Sequence, residues 1–199
     1  MFDSSPTVAD LLAGTLKVAG SCFVEIFCGQ AAFTLCLMLS TVPCICPWDV
    51  KFGSEFNVLT HGMSLLSLIK HCLLTAMHFA VPCLSMTWAR WPQLRTSQHP
   101  QGKPDLSDRE RKLVETGNAL LAFTVECCRE LWLRVCFFSI ENPELSWLWL
   151  QAGLLEFLTQ DGVALVRILF KHFAVPFMKP TLFMHNTPTL HRLREPEME

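Results

Sequence analysis

Short apolar runs that alternate with helical segments constrain the fold of this chain more than any other feature of its sequence. Residues 21–27 (SCFVEIF), 73–81 (LLTAMHFAV) and 135–140 (VCFFSI) are rich in β-branched or aromatic side chains, which is typical of buried strands. Strands that alternate with helices at this spacing predict an α/β fold with an open, mostly parallel sheet and helices on both faces. The other predicted elements are helices at 31–39, 63–72, 108–134 and 147–155 and strands at 41–46 and 162–170.

The length and composition favour a single domain. The chain has 199 residues, of which 51% are hydrophobic, so it can bury one sizeable core but is too short for two ordinary domains. We expect a core at 21–176, an N-terminal amphipathic helix at 1–20 and an irregular tail at 177–199. The net charge of −2 provides no basic field that would bind nucleic acid unaided. Local basic patches or another chain would have to supply such binding.

The ten cysteines occur without a secretory signal at the N-terminus, which favours a reducing, intracellular location. No Cys-x-x-Cys motif is present, and the pairs Cys44/Cys46 and Cys127/Cys128 lack the usual spacings of zinc ligands. We therefore expect most of these thiols to behave as small buried hydrophobic groups, and we predict no metal site.

An uncharged stretch from Ile26 to Trp48 is long enough to span a bilayer. Gly29, Pro43 and Pro47 interrupt it, however. A strand, a turn, a helix and a second strand explain the same residues, so we predict no membrane segment.

Polar or reactive residues follow several of the predicted strands. In a parallel sheet such strand ends meet at one edge, where ligands bind. The pair Pro82-Cys83 follows the apolar run 73–81, which is where an α/β enzyme places a nucleophilic thiol. Because Val-Pro-Cys also occurs at 42–44, this tripeptide alone does not single out Cys83. The residues expected to converge at this edge are Gly29, Asp49, Pro82, Cys83, Glu141 and Asn142.

A long loop is predicted at 90–103, and it carries Arg90 and Arg95. A loop of this length in a compact domain is either a functional segment or a solvated connector, and the sequence leaves both interpretations open. Directly after it, Ser107 and Glu110 have the spacing of a capping box, which predicts the start of the helix at 108–134.

Several short motifs follow one another along the chain: Phe23-Val24-Glu25-Ile26-Phe27-Cys28-Gly29, Pro47-Trp48-Asp49, Pro82-Cys83-Leu84-Ser85, Glu141-Asn142-Pro143, and near the end Lys179-Pro180-Thr181 and Asn186. In their order and spacing they resemble the motifs of the S-adenosylmethionine-dependent cytosine-5 methyltransferases. The resemblance extends from about Cys22 to Leu193 and implies a Rossmann-like methyltransferase fold. We predict no separate target-recognition domain, because none fits after Phe170.

The resemblance implies transfer of a methyl group to C5 of cytosine in nucleic acid, DNA more than RNA. Cys83 would attack C6 of the base, Glu141 would share a proton with N3, and Asn142 would orient the glutamate or the preceding loop. Substrate contacts are assigned to Ser85, Arg90 and Arg95. The S-adenosyl-L-methionine contacts are assigned to Glu25, Phe27, Gly29, Asp49, Asn57 and Pro82.

Two alternatives of other classes remain open at this stage. The first is a catalytically inactive regulatory or binding protein that keeps the methyltransferase fold. The second is a methyltransferase for a different substrate, in which Cys83 is not a nucleophile. Leu84 stands where the family usually has glutamine after Pro-Cys, which keeps both alternatives in consideration. Because no target-recognition domain is predicted, a partner protein is expected to contribute to recognition.

Overall fold

The computed structural model describes residues 22–71, 74–169 and 180–190. These residues fall into two compact units. The first contains residues 22–71, 74–80 and 126–138, and the second contains residues 81–125, 139–169 and 180–190. The predicted helix at 1–20 lies outside the described residues.

The structure confirms the α/β class: it contains five strands, in the order β1-β2-β3-β5-β4, together with helices. The Rossmann-like arrangement within that class stays a prediction. The strands are β1 (Phe23–Ile26), β2 (Ala76–Phe79), β3 (Phe137–Pro143), β4 (Ala164–Leu169) and β5 (Pro180–His185). The α-helices are α1 (Ala32–Leu39), α2 (Val58–Lys70), α3 (Asp108–Leu133) and α4 (Ala152–Phe157), and short 3₁₀ helices cover Val50–Phe52, Ser54–Phe56 and Trp147–Leu150.

The first unit is organised around β1 and β2, which pair in parallel with Val24 opposite Met77. All four residues of β1 are buried. The predicted strand at 41–46 is wrong, because in this segment only Cys44 forms a bridge to β1, through Phe23, followed by a separate bridge from Trp48. Proline has no N–H to donate, so Pro43 and Pro47 prevent a regular ladder here.

The second unit contains the antiparallel part of the sheet. β5 pairs with β3 on one side and with β4 on the other, so the sheet is mixed. The prediction that the tail from 177 is irregular is therefore wrong for 180–185. Pairing on both sides satisfies the backbone of β5, and Thr181 and Met184 are completely buried. Pro180 occupies the first position of the strand, where proline is tolerated.

Local capping explains where two helices begin. α2 starts at Val58 instead of 63, because the Asn57 side chain accepts a hydrogen bond from the Leu59 N–H and caps the helix. At the start of α3, the Ser107 N–H donates to the carboxylate of Glu110, as the capping box predicts, and the Ser107 hydroxyl donates to the same carboxylate. Within the described ranges no helix is long and apolar enough to cross a membrane.

The buried face of α3 provides a test of the fold. Leu131 is completely buried, whereas Leu133 on the same helix is 60% exposed. We expect Leu131→Ala to lower the free energy of unfolding by about 2–5 kcal/mol, because it removes buried methyl groups and leaves a cavity. The matched Leu133→Ala variant should change it by less than about 0.5 kcal/mol. Urea unfolding measures both, and equal losses would contradict this burial pattern.

Candidate functional site

The turn after β1 has an unusual backbone. Phe27, Gly29 and Ala31 have φ angles of 60°, 52° and 53°, although only glycine adopts such angles without strain. Strained turns of this kind cluster at ligand sites. Asp49 supports the turn, since its Oδ2 accepts a hydrogen bond from the Gly29 N–H at 3.0 Å and its Oδ1 accepts one from the Lys51 N–H at 3.1 Å.

Glu25 is a buried carboxylate with one oxygen in use. Its Oε2 accepts hydrogen bonds from the N–H and the hydroxyl of Thr34, at 2.8 and 2.7 Å, and so fastens β1 to α1. Its Oε1 makes no hydrogen bond within the described part of the chain. His78 stands opposite Glu25 on β2, and burial lowers the pKa of this histidine to about 4, so it is neutral near pH 7.

Asn57 has a structural role that needs no ligand. Its side-chain oxygen caps α2, which leaves only the amide N–H₂ of this side chain as a donor for any further contact. An adenine contact from Asn57 therefore stays a prediction. Glu25, Phe27, Gly29, Asp49 and Asn57 all belong to the first unit.

The predicted nucleophile lies on a tight turn in the second unit. The carbonyl oxygen of Cys83 accepts hydrogen bonds from the N–H groups of Met86 and Thr87, at 2.9 and 2.8 Å, so residues 83–87 form a single helical turn. Cys83 is half-buried, and Leu84 beside it is exposed. A reagent from solvent can therefore reach this turn.

Hydrogen bonds hold the turn against the Glu141-Asn142-Pro143 segment and the residues that follow it. The side-chain N–H₂ of the buried Asn142 donates to the carbonyl of Val81 at 2.7 Å, directly before Pro82-Cys83. Two backbone bonds extend this contact, from Trp88 N–H to Leu145 and from Trp147 N–H to Met86. These bonds bring Pro82 and Cys83 together with the Glu-Asn segment, and the orienting role of Asn142 stays a prediction.

Arg95 is completely buried and uses all five of its N–H groups within the protein. The Nε and Nη2 groups donate to the carbonyl and hydroxyl oxygens of Ser85, at 2.9 and 3.1 Å. The remaining bonds go to Pro100 O, Asn118 Oδ1 and Val114 O. Burial lowers the pKa of Arg95 to about 10, so the guanidinium stays charged near pH 7.

This network changes the interpretation of two predicted substrate contacts. Arg95 has no N–H left for a phosphate or a base carbonyl, and the Ser85 hydroxyl is buried, with its oxygen accepting a bond from Arg95. We therefore interpret both as residues that position the turn carrying Cys83. Arg90 differs, because its Nε is inaccessible to solvent and has no hydrogen-bond partner among the residues that the structure describes.

The two Val-Pro-Cys tripeptides have different environments. Cys44 lies beside β1, where its thiol contacts the Val42 carbonyl and burial raises its pKa. Burial also raises the pKa of Cys28 to about 12 and that of Cys128 far above its usual range. These thiols stay protonated near pH 7, which makes them poor nucleophiles. Cys83 is on the turn that the Glu-Asn segment supports.

Sequence reasoning missed Thr34, Gly117 and Asn118, all of which act on the candidate residues. Thr34 carries no signal beyond its position near the start of α1. Gly117 does carry one, since a glycine within a long helix commonly marks a close approach. A Cβ at Gly117 would lie 2.4 Å from the Ser85 hydroxyl oxygen.

Comparison of the chain with family models, with curated proteins and with solved structures found no match.

Gly117 provides a test of the Arg95 network. We expect Gly117→Ala to lower the free energy of unfolding by about 1–3 kcal/mol, because the new methyl group must displace Ser85 or Arg95. The matched control is Gly153→Ala on α4, where the new Cβ would meet Val125 at an ordinary 3.7 Å. Since alanine favours helix, the control should be neutral or stabilising by up to about 1 kcal/mol. If Gly117→Ala is also stabilising in denaturant unfolding, the close packing described here is wrong.

Proposed function

We propose that this protein transfers a methyl group from S-adenosylmethionine to C5 of cytosine in nucleic acid, with DNA the favoured substrate, through a covalent bond between Cys83 and C6. The observation that carries the proposal is the hydrogen bond from Asn142 to the Val81 carbonyl. It joins a Pro-Cys turn to a Glu-Asn segment 61 residues away in the sequence. The two segments that it joins carry a thiol and a carboxyl group, which are the groups that addition to a cytosine ring requires.

The chemistry assigns a distinct task to each side chain. The Cys83 thiolate adds to C6, and the electrons of the C5–C6 double bond move to C5, which can then accept a methyl group. A protonated Glu141 donates a hydrogen bond or a proton to N3 and so draws electron density from C6. After methylation, loss of the C5 proton to a base restores the double bond and expels the Cys83 sulfur. Asn142 holds the loop in place throughout.

The residues of the first unit suit the cofactor. The methyl group comes from its sulfonium, which leaves as a thioether. The free Oε1 of the buried Glu25 is an acceptor for an amino or hydroxyl group. Asp49 uses each carboxylate oxygen once, and each oxygen retains a lone pair for a ribose hydroxyl. The strained turn at Phe27 and Gly29 completes the contacts proposed within the first unit.

The net charge of this chain favours the participation of a partner protein in substrate recognition. With a net charge of −2, the chain provides no general attraction to a polyanion, so selection of a target sequence would depend on a second protein. The intracellular location predicted from the cysteines is consistent with such a role.

A mechanism-based substrate tests the proposal. An oligonucleotide with 5-fluorocytosine should form a covalent adduct with the wild-type protein in the presence of S-adenosylmethionine, because fluorine at C5 cannot leave as a proton does. Cys83→Ser should abolish the adduct. Cys44→Ser removes the cysteine of the other Val-Pro-Cys tripeptide and should keep it. Denaturing electrophoresis and mass spectrometry measure all three.

The other outcomes identify the alternatives. Methyl transfer to some acceptor without an adduct would indicate a methyltransferase with a different substrate. Cofactor binding with neither methyl transfer nor an adduct would indicate a catalytically inactive binding protein. Either result contradicts the proposed reaction.

The cofactor assignment has a separate test. We expect Glu25→Gln to weaken S-adenosylmethionine binding by about tenfold, as loss of one charge-assisted hydrogen bond implies. The glutamine carbonyl can still accept the bonds from Thr34, so the fold should persist. The control is Glu126→Gln, a partly exposed glutamate paired with Arg129 in the same unit. Isothermal titration measures both affinities, and equal values would remove Glu25 from the cofactor site.

A further inference from the structure

A cavity of about 580 Å³ lies in the second unit, between the start of α3 and Arg90. It is referred to below as the basic cavity. Its volume exceeds what a single small ion needs. Its polar lining consists of Arg90, Ser107, Arg109, Glu110, Lys112 and Thr116.

The side chains that line this cavity carry more positive than negative charge. Arg90, Arg109 and Lys112 form no ion pair within 4 Å in the part of the chain that the structure describes. Glu110 is the one acid among the lining residues, and the N–H and hydroxyl of Ser107 already bind its carboxylate. Those bonds from Ser107, aided by the charge of Arg90, lower the pKa of Glu110, so it is ionised. Three cations and one carboxylate leave an excess of two positive charges.

Two features make this excess unfavourable without a ligand. The Arg90 Nε is shielded from solvent and has no acceptor in the described part of the chain, and a buried donor without an acceptor destabilises the folded state. Arg109 and Lys112 lie in the first turns of α3, where the helix dipole disfavours positive charge. An anion with several oxygen acceptors would relieve both.

Exposed aromatic side chains flank Arg90 in the sequence. Trp91 is 89% exposed and Trp88 is 52% exposed, although burial of a tryptophan side chain is normally favourable. Exposed aromatic rings next to basic side chains are typical of surfaces that bind single-stranded nucleic acid, where bases stack on the rings and cations bind the phosphates. A free phosphate would contact only the basic side chains and would not stack on the tryptophan rings.

We infer that the basic cavity binds backbone phosphates of a nucleic-acid strand whose bases stack on Trp88 and Trp91. The inference rests on the proposed function, because it assigns the substrate-binding surface of that enzyme. The inference also assigns a role to each arginine of the loop at 90–103. Arg95 is structural, whereas Arg90 contacts the substrate.

Salt-dependent binding of a fluorescein-labelled single-stranded DNA of twelve nucleotides tests this inference. Fluorescence anisotropy without cofactor would compare the full-length wild type with an Arg109→Gln/Lys112→Gln double variant. Each lost phosphate contact should reduce the slope of log K against log salt by about 0.7, so the double variant should lose about 1.4. Arg109→Lys/Lys112→Arg keeps both charges and should keep the slope, and Arg129→Gln, further along α3, should match the wild type.

Trp91→Ala tests the stacking component. It should weaken binding by about tenfold with an unchanged salt slope, because stacking releases no counterions. Phe52→Ala, another partly exposed aromatic residue, serves as its control. Titration with inorganic pyrophosphate covers the other source of phosphate: if pyrophosphate binds and Trp91→Ala does not affect DNA binding, the cavity is a free-phosphate site and the inference is overturned.

The results separate this inference from the proposed function. If the double variant loses slope while the wild type forms no 5-fluorocytosine adduct, strand binding stands and the proposed reaction fails. If the adduct forms but the double variant matches Arg129→Gln in affinity and slope, the reaction stands and the basic cavity is not the binding surface. A wild type that binds no DNA at 50 mM salt overturns the inference directly.

Discussion

The buried guanidinium of Arg95 is the interaction on which the second unit depends most. Burying a charged group costs free energy unless each of its donors has a hydrogen-bond partner. In Arg95, five N–H groups donate to five acceptor oxygens. Those acceptors come from the Pro-Cys turn, the loop that follows it and helix α3. One side chain thereby holds two irregular segments, the turn and the loop, against helix α3.

This arrangement explains why the turn with Cys83 can be precise although it belongs to neither a strand nor a long helix. Asn142 fixes the entry to the turn through the Val81 carbonyl, and Arg95 fixes its interior through Ser85. A nucleophile must be held within fractions of an ångström of its productive position, and loops rarely achieve this without such supports. Gly117 contributes to the same support of the turn, because only a residue without a side chain leaves room for Ser85.

Elements with strong local signals can be predicted from the sequence alone. α3 is predicted nearly residue for residue, because Ser107 and Glu110 mark its start and apolar residues recur at helical spacing. β5 is not predicted, because residues 180–185 become a strand only through pairing with β3 and β4 on both sides. The segment at 41–46 fails in the opposite way: it has strand-like side chains, but Pro43 and Pro47 lack the N–H groups that a ladder needs. The candidate site, too, is only partly predictable from the sequence. The sequence predicts Cys83 and Asn142 as neighbours, but it cannot distinguish a buried arginine from an exposed one, so Arg90 and Arg95 look alike.

By itself the sequence determined the α/β class, the main helices and the order of the Pro-Cys and Glu-Asn motifs, because periodicity, caps and motifs are local properties of a chain. Only the tertiary structure decided which Val-Pro-Cys tripeptide lies against the Glu-Asn segment and which arginine is structural, and it alone revealed that the cations at the start of α3 line a cavity. Those outcomes depend on burial and on hydrogen-bond partners from distant segments. Burial sets the pKa of a thiol, and partners determine whether a guanidinium has a donor left for a ligand.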